Sequence, residues 1–213
     1  MRIIFMMALL ALASGPVAAA SWQIGDNDGF GAGICDNCQH PFDGFSANYD
    51  GRSAAEMAAT DGTQYTDTYS TTHPGFGPHG SETVATFTFT GLGNSWTVGH
   101  LEFDTADFQA STFGGVTTTF NGIVQNFGFN DGFPNTAIHF FTLTGSVIDS
   151  INASGELVIT IDRNNSGDFY GFDYLKISDV AAPIPEPETY AMLLAGLGIL
   201  GFASRRRRQK LAV

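Results

Sequence analysis

Basic residues are scarce in the body of this chain. Of 9 lysines and arginines in 213 residues, only Arg52, Arg163 and Lys176 lie between residues 21 and 182, where nearly all of the 21 acids also lie. Such a surface repels polyanions, so nucleic acid and anionic lipid are unsuitable partners, whereas divalent cations and neutral sugars are compatible. Solubility alone accounts for most of these carboxylates. Cysteine is nearly absent, with 2 residues, which cannot fill the four positions of a zinc site by themselves. There is no G-x-S-x-G elbow, no H-E-x-x-H pair and no repeat at solenoid or propeller period.

Long apolar runs are also lacking, and the two short ones sit at the ends. Residues 3–12 are apolar after Arg2, and Ala18, Ala19 and Ala20 follow. That pattern is a secretory signal, residues 1–20, cut before Ser21; the run is too short for a permanent anchor. Near the other end, residues 190–203 are apolar or glycine throughout. As a helix they would span roughly 21 Å, short of a bilayer core of about 30 Å. Tyr190 at one interface and snorkelling arginines at the other extend that reach, and Arg205, Arg206, Arg207 and Arg208 stay on the cytoplasmic side. The expectation is a single transmembrane helix that stops an exported chain. A basic end that binds nucleic acid is the weaker reading, because an exported chain meets little nucleic acid.

Pro185, Glu186 and Pro187 precede this helix. A Pro-Glu-Pro triplet, a glycine-containing apolar helix and an arginine cluster, in that order, resemble the PEP-CTERM sorting signal of exopolysaccharide-producing Gram-negative bacteria. The resemblance covers residues 183–208. It implies recognition by an exosortase, cleavage near the triplet, transient residence in the inner membrane, and delivery of the body to the cell surface or matrix. Gly196, Gly198 and Gly201 suit a close-packed, temporary helix, much as hydrophobic tails are temporary in other surface-anchoring signals.

Residues 21–182 are long enough for one domain with its own core. The stretch 83–90, TVATFTFT, alternates Ala85, Phe87 and Phe89 with threonines, as a half-buried strand does. Strands are also predicted over 95–103 with a bulge at 100–101, over 117–120 and 123–127 around an Asn121-Gly122 turn, and over 138–144, 157–162 and 169–177. One short helix is predicted after Ser53, where Ser53 and Glu56 form a capping-box pattern. The predicted fold is all-β, a jelly-roll-like β-sandwich, with an open barrel as the alternative.

Four groups of residues could carry chemistry. Cys35 and Cys38 are expected to form a disulfide in an oxidising compartment; free thiols, or zinc with two of His40, His73 and His79, are the alternatives. Asp162 to Asp173 partly matches a calcium-loop pattern, but its strand-like flanks make it a turn. The body resembles galactose-binding-like carbohydrate-binding sandwiches broadly in size and in its closing Phe-Asp-Tyr-Leu segment. In these the first and last strands lie close together and share a structural Ca²⁺, and the resemblance implies oxygen ligands from Asp26, Asp28 and Asp173 here. Glu82, Glu102, Asp104 and Asp107 are carboxylates without a defined facing pair.

The expected function is therefore a non-enzymatic surface or matrix protein associated with exopolysaccharide or biofilm. A carbohydrate-binding module, stacking sugars on Trp96, Tyr49 or Tyr170, is the first rival. A polysaccharide-modifying hydrolase is the second.

Overall fold

The computed structural model describes residues 20–40, 49–68 and 84–179. Eight strands form two four-stranded antiparallel sheets: β1 (Ser21–Gly25), β8 (Gly171–Ser178), β3 (Gly99–Ala106) and β6 (Thr136–Leu143) in one, and β2 (Val84–Phe89), β7 (Leu157–Asp162), β4 (Thr117–Phe120) and β5 (Ile123–Val124) in the other. β1 pairs with β8, β2 with β7, β3 with β6 and β4 with β5. The first half of the chain thus lies antiparallel to the second, and successive strands alternate between sheets except at the β4–β5 hairpin. The result is a β-sandwich.

Alternation explains the core. In β2, Ala85, Phe87 and Phe89 face inward and meet Ile161, Ile159 and Leu157 of β7 directly across the ladder. In the other sheet Leu101 and Phe103 oppose Ile177 and Leu175, and Ile24 of β1 opposes Leu175 from the other side. All belong to one apolar cluster. Full burial of each such side chain contributes about 1.5–3 kcal/mol. Aromatic rings fill the centre: Phe108 stacks on Tyr170 with centroids 4.2 Å apart, and Phe103 packs against Phe120, Phe129 and Phe141.

The helix predicted after Ser53 is α1 (Ala54–Ala58). Its capping box is complete: the Glu56 N–H donates to Ser53 Oγ, and the Ser53 N–H donates to Glu56 Oε2. Two further helices, α2 (Ala110–Phe113) and α3 (Ser146–Ser154), were not expected. In α3 the apolar spacing of Val147, Ile148 and Ile151 buries one face, and Gly155 ends it in the left-handed conformation.

Several predicted boundaries move. β3 begins at Gly99, so Trp96 precedes the strand; its Nε1–H donates to the Leu92 carbonyl, and its ring lies 5.5 Å from Trp22. β5 ends at Val124, and β1 was not anticipated as a strand. The bulge falls at Asp104 instead of 100–101. Phe103 opposes Leu175 and Thr105 opposes Phe172, so Asp104 faces two residues of β8, Asp173 and Tyr174. Phe172 and Leu175, three apart, therefore both reach the core, while Asp173 and Tyr174 turn to the opposite side with Asp104.

The expected signal peptide and transmembrane tail lie outside the described residues. Among the described residues, no helix is long and apolar enough to cross a membrane.

Candidate metal centre

The bulge places a carboxylate where the N-terminal segment passes. Gly25, the last residue of β1, has φ +77°, and a Cβ there would lie 2.4 Å from the Asp173 carbonyl oxygen, so only glycine allows this approach. After it the chain turns tightly through Gly29–Gly33. Asp28 caps that turn, its carboxylate accepting from the Gly31 N–H at 2.6 Å. Phe30 is buried with φ 60°, a strained conformation for a bulky residue. It directs its N–H to Asp173 Oδ1 at 2.8 Å, while the Gly29 N–H reaches Asp173 Oδ2 at 3.3 Å. Phe30 and Ala106, with Ile34, Tyr49 and Phe169, form a small apolar cluster separate from the main core.

Asp67 arrives from the segment after α1. Its backbone N–H donates to the Phe172 carbonyl, and its carbonyl accepts from Gly51. Its side chain is fully buried, and neither carboxylate oxygen meets an N–H or O–H donor. Carboxylate oxygens of Asp26, Asp28 and Asp67 lie within 4.8 Å of one another. Glu56 stands nearby, buried, accepting from the Thr66 hydroxyl at 2.8 Å. Arg52 is held by Asp50 through contacts of 2.7 and 2.8 Å.

The electrostatics follow from crowding and burial. Burial raises the Asp67 pKa strongly, and Glu56, Asp173 and Asp28 add to the rise. Asp173 stands close to Asp67, and its carboxylate adds to that rise. Burial also raises Asp173, opposed by the N–H groups of Phe30 and Gly29, and raises Asp26, with Glu56 and Asp28 contributing. The Tyr49 hydroxyl is pushed up to about 12 by burial and then by Asp67. Several carboxylates converge on one place, and Arg52, a cation within electrostatic range of Glu56 and Asp67, is already bound to Asp50; a hard cation with oxygen ligands suits such a group.

The predicted trio of Asp26, Asp28 and Asp173 is thus only partly one group. Asp26 and Asp28 converge with Asp67, while Asp173 stands beside them and groups with Asp36 and Asp104. Asp67, Glu56 and Asp36 were not singled out from the sequence, because nothing local distinguishes them from surface acids. Cys35 and Cys38 are disulfide-bonded, with Cα atoms 5.9 Å apart. Zinc binding by these thiols is excluded in this state, and His40 instead meets Asp107 at 3.1 Å in a buried pair. His73 and His79 lie outside the described residues, as does Glu82.

The aromatics proposed for sugar stacking are otherwise engaged. Trp96 and Tyr170 are core residues, and Tyr49 is half-buried, its hydroxyl donating to the Phe30 carbonyl. Glu102 and Asp104 share one face of β3, and Glu102 accepts from the Tyr174 hydroxyl. Asp162 accepts from Asn164 at the turn after β7, while Asp173 is on β8 in the other sheet and accepts from Phe30 and Gly29, so the two do not close a loop.

The remaining sequence feature is decided by comparison. A family model for the PEP-CTERM protein-sorting motif matches residues 183–208. The chain carries a PEP-CTERM sorting motif. Pro185, Glu186, Pro187 and Arg205 to Arg208 fall inside that PEP-CTERM match, which marks the chain as an exported target of an exosortase. These residues lie outside those the structure describes.

No curated protein matches the chain. Solved structures with partial likeness include the Podospora anserina GH26-CBM35 β-(1,4)-mannanase, at 15% identity and TM-score 0.31 over 48% of this chain and 20% of the mannanase. The ANX1 ectodomain from Arabidopsis thaliana matches at 17% identity and TM-score 0.37, over 73% of this chain and 43% of the ectodomain. Latent PorU from Porphyromonas gingivalis matches at 16% identity and TM-score 0.29, over 45% of this chain and 10% of PorU. Likeness at this level carries nothing about function.

Proposed function

We propose that the chain is an exosortase-processed surface protein whose body is a non-enzymatic jelly roll retained in the exopolysaccharide or biofilm matrix. The PEP-CTERM match at residues 183–208 is the observation that carries this reading. The hydrophobic tail is a temporary inner-membrane stop, and the body continues to the surface after processing. The strand winding, β1-β8-β3-β6 over β2-β7-β4-β5, supports the jelly roll. The engagement of Glu102 by the Tyr174 hydroxyl supports a structural role for that carboxylate. A structural Ca²⁺ at Asp26, Asp28 and Asp67, with Asp173 beside them, completes the reading. The buried, donor-less Asp67 carboxylate is the feature that favours it.

The test is the distribution of the protein in its native host and in a strain unable to make the polymer. Retention with the matrix in the first and release to the medium in the second are expected. Equal retention in both would contradict matrix association.

A further inference from the structure

Asp104 belongs to the middle of β3 and is fully buried, yet neither oxygen of its carboxylate has a hydrogen-bond donor. A buried, unpartnered carboxylate is costly, and its position is set by the bulge opposite Asp173. It is aimed at two other carboxylates: oxygens of Asp36, Asp104 and Asp173 lie within 4.8 Å of one another. We propose that these three residues bind a second Ca²⁺, distinct from the ion at Asp26, Asp28 and Asp67.

Each ligand comes from a different, separately braced element. Asp104 is on β3 and Asp173 on β8, fixed by the sheet. Asp36 is on the four-residue loop closed by the Cys35–Cys38 disulfide. That loop is fastened to the start of β6: the Thr136 hydroxyl donates to the Cys35 carbonyl at 2.8 Å, the Cys38 N–H donates to Thr136 Oγ1 at 3.0 Å, and the Ile138 N–H donates to Asn37 Oδ1 at 2.9 Å. Burial raises the Asp104 pKa to about 8, and Asp173 and Asp36 reinforce the rise.

Three carboxylates with no amine or imidazole among them form an all-oxygen donor set, which suits Ca²⁺ over zinc or copper. Asp36 is exposed, so water can complete the shell from that side. Asp173 stands between the two groups. Its two oxygens accept from Phe30 and Gly29, and each retains capacity for a cation. Because the disulfide braces the loop that carries Asp36, reduction should weaken this site.

The site is tested by equilibrium dialysis of the full-length, detergent-solubilised protein against radioactive Ca²⁺ under non-reducing conditions. Wild type should bind one equivalent more than Asp104→Asn or Asp36→Asn, and Asp67→Asn should retain that equivalent. Asp36 is exposed, so its variant leaves the folded core untouched. Melting curves in chelator identify any variant that fails to fold. Unchanged stoichiometry in a folded Asp36→Asn or Asp104→Asn protein would overturn the proposal. Loss of an equivalent in Asp104→Asn but not in Asp67→Asn would uphold this site while contradicting the first one.

Discussion

The Phe30 N–H donates to the Asp173 carboxylate at 2.8 Å, across 143 residues of sequence. This contact ties the N-terminal turn to the last strand at the bulge, where the acidic groups converge. A hydrogen bond to a charged acceptor contributes about 1.5–3 kcal/mol. With Ca²⁺ bound, where the ion offsets the crowding of acids, Asp173→Ala should therefore cost at least about that amount, and it should remove most of the Ca²⁺-dependent rise in Tm. Paired melts with and without Ca²⁺ measure both effects. An Asp173→Ala protein with the wild-type Ca²⁺ response would contradict the assignment.

The disulfide predicts a second effect. Its loop is short, with a sequence separation of 3, and loop-closure entropy gives about 2 kcal/mol for such a link. Cys35→Ser with Cys38→Ser should lower stability by up to that amount and weaken Ca²⁺ binding through Asp36. Alkylation of the denatured, unreduced wild type should label neither cysteine; stoichiometric labelling would contradict the bond.

The acidic centre predicts how metal-free stability varies with pH. Asp104 titrates at about 8 when folded, against 3.8 for an ordinary aspartate, and Asp67 and Asp173 are also raised. The folded state binds more protons than the unfolded state between these values, so this contribution falls as pH rises. For Asp104 it is fully present below about pH 4 and exhausted above about 8. Asp173, Asp36 and Tyr174 face Asp104, and Glu56, Asp173, Asp28, Tyr49 and the Arg52 guanidinium face Asp67. In chelator, Asp104→Asn should flatten the decline of Tm with pH. An identical slope in wild type and variant would mean that the buried Asp104 carboxylate is not its source.

Core packing gives a prediction independent of metal. Phe103 is fully buried among Phe120, Phe129 and Phe141, so Phe103→Ala should cost about 3–5 kcal/mol. Chemical denaturation checks this; a loss below about 1 kcal/mol would mean that this aromatic layer does not form.

What was legible in the sequence was local. The alternation in TVATFTFT placed Ala85, Phe87 and Phe89 inward, the Asn121-Gly122 turn joined β4 to β5, and Ser53 with Glu56 started α1. These depend on neighbours a few residues apart. Helix α3 was missed because its apolar positions are few and its ends are marked only by Gly145 and Gly155. The bulge at Asp104 was misplaced because register is a property of two strands: only the pairing with β8 shows that Phe172 and Leu175 share a face. The acidic cluster was partly legible through the same kind of pairing. Asp26, Asp28 and Asp173 could be connected through a supposed neighbourhood of first and last strands, which β1 and β8 display. Asp67 and Asp104 required knowledge of burial, which no short motif announces.

Delivery of the body to the surface depends on the tail. Proline fixes φ and disfavours helix in its predecessor, so Pro185, Glu186 and Pro187 should remain extended where a membrane protease can grip them. Moving each arginine of 205–208 through the bilayer centre costs about 2.5–3.5 kcal/mol or more. Replacing the triplet by alanines should leave full-length protein in the inner membrane, whereas deleting the arginines should let uncut protein escape. The most direct measurement is mass spectrometry of the surface-located protein from its native host. The account predicts a C-terminus near the Pro-Glu-Pro triplet and no peptide from residues 190–203. Recovery of that peptide, intact on the surface form, would show a permanent anchor and contradict the account.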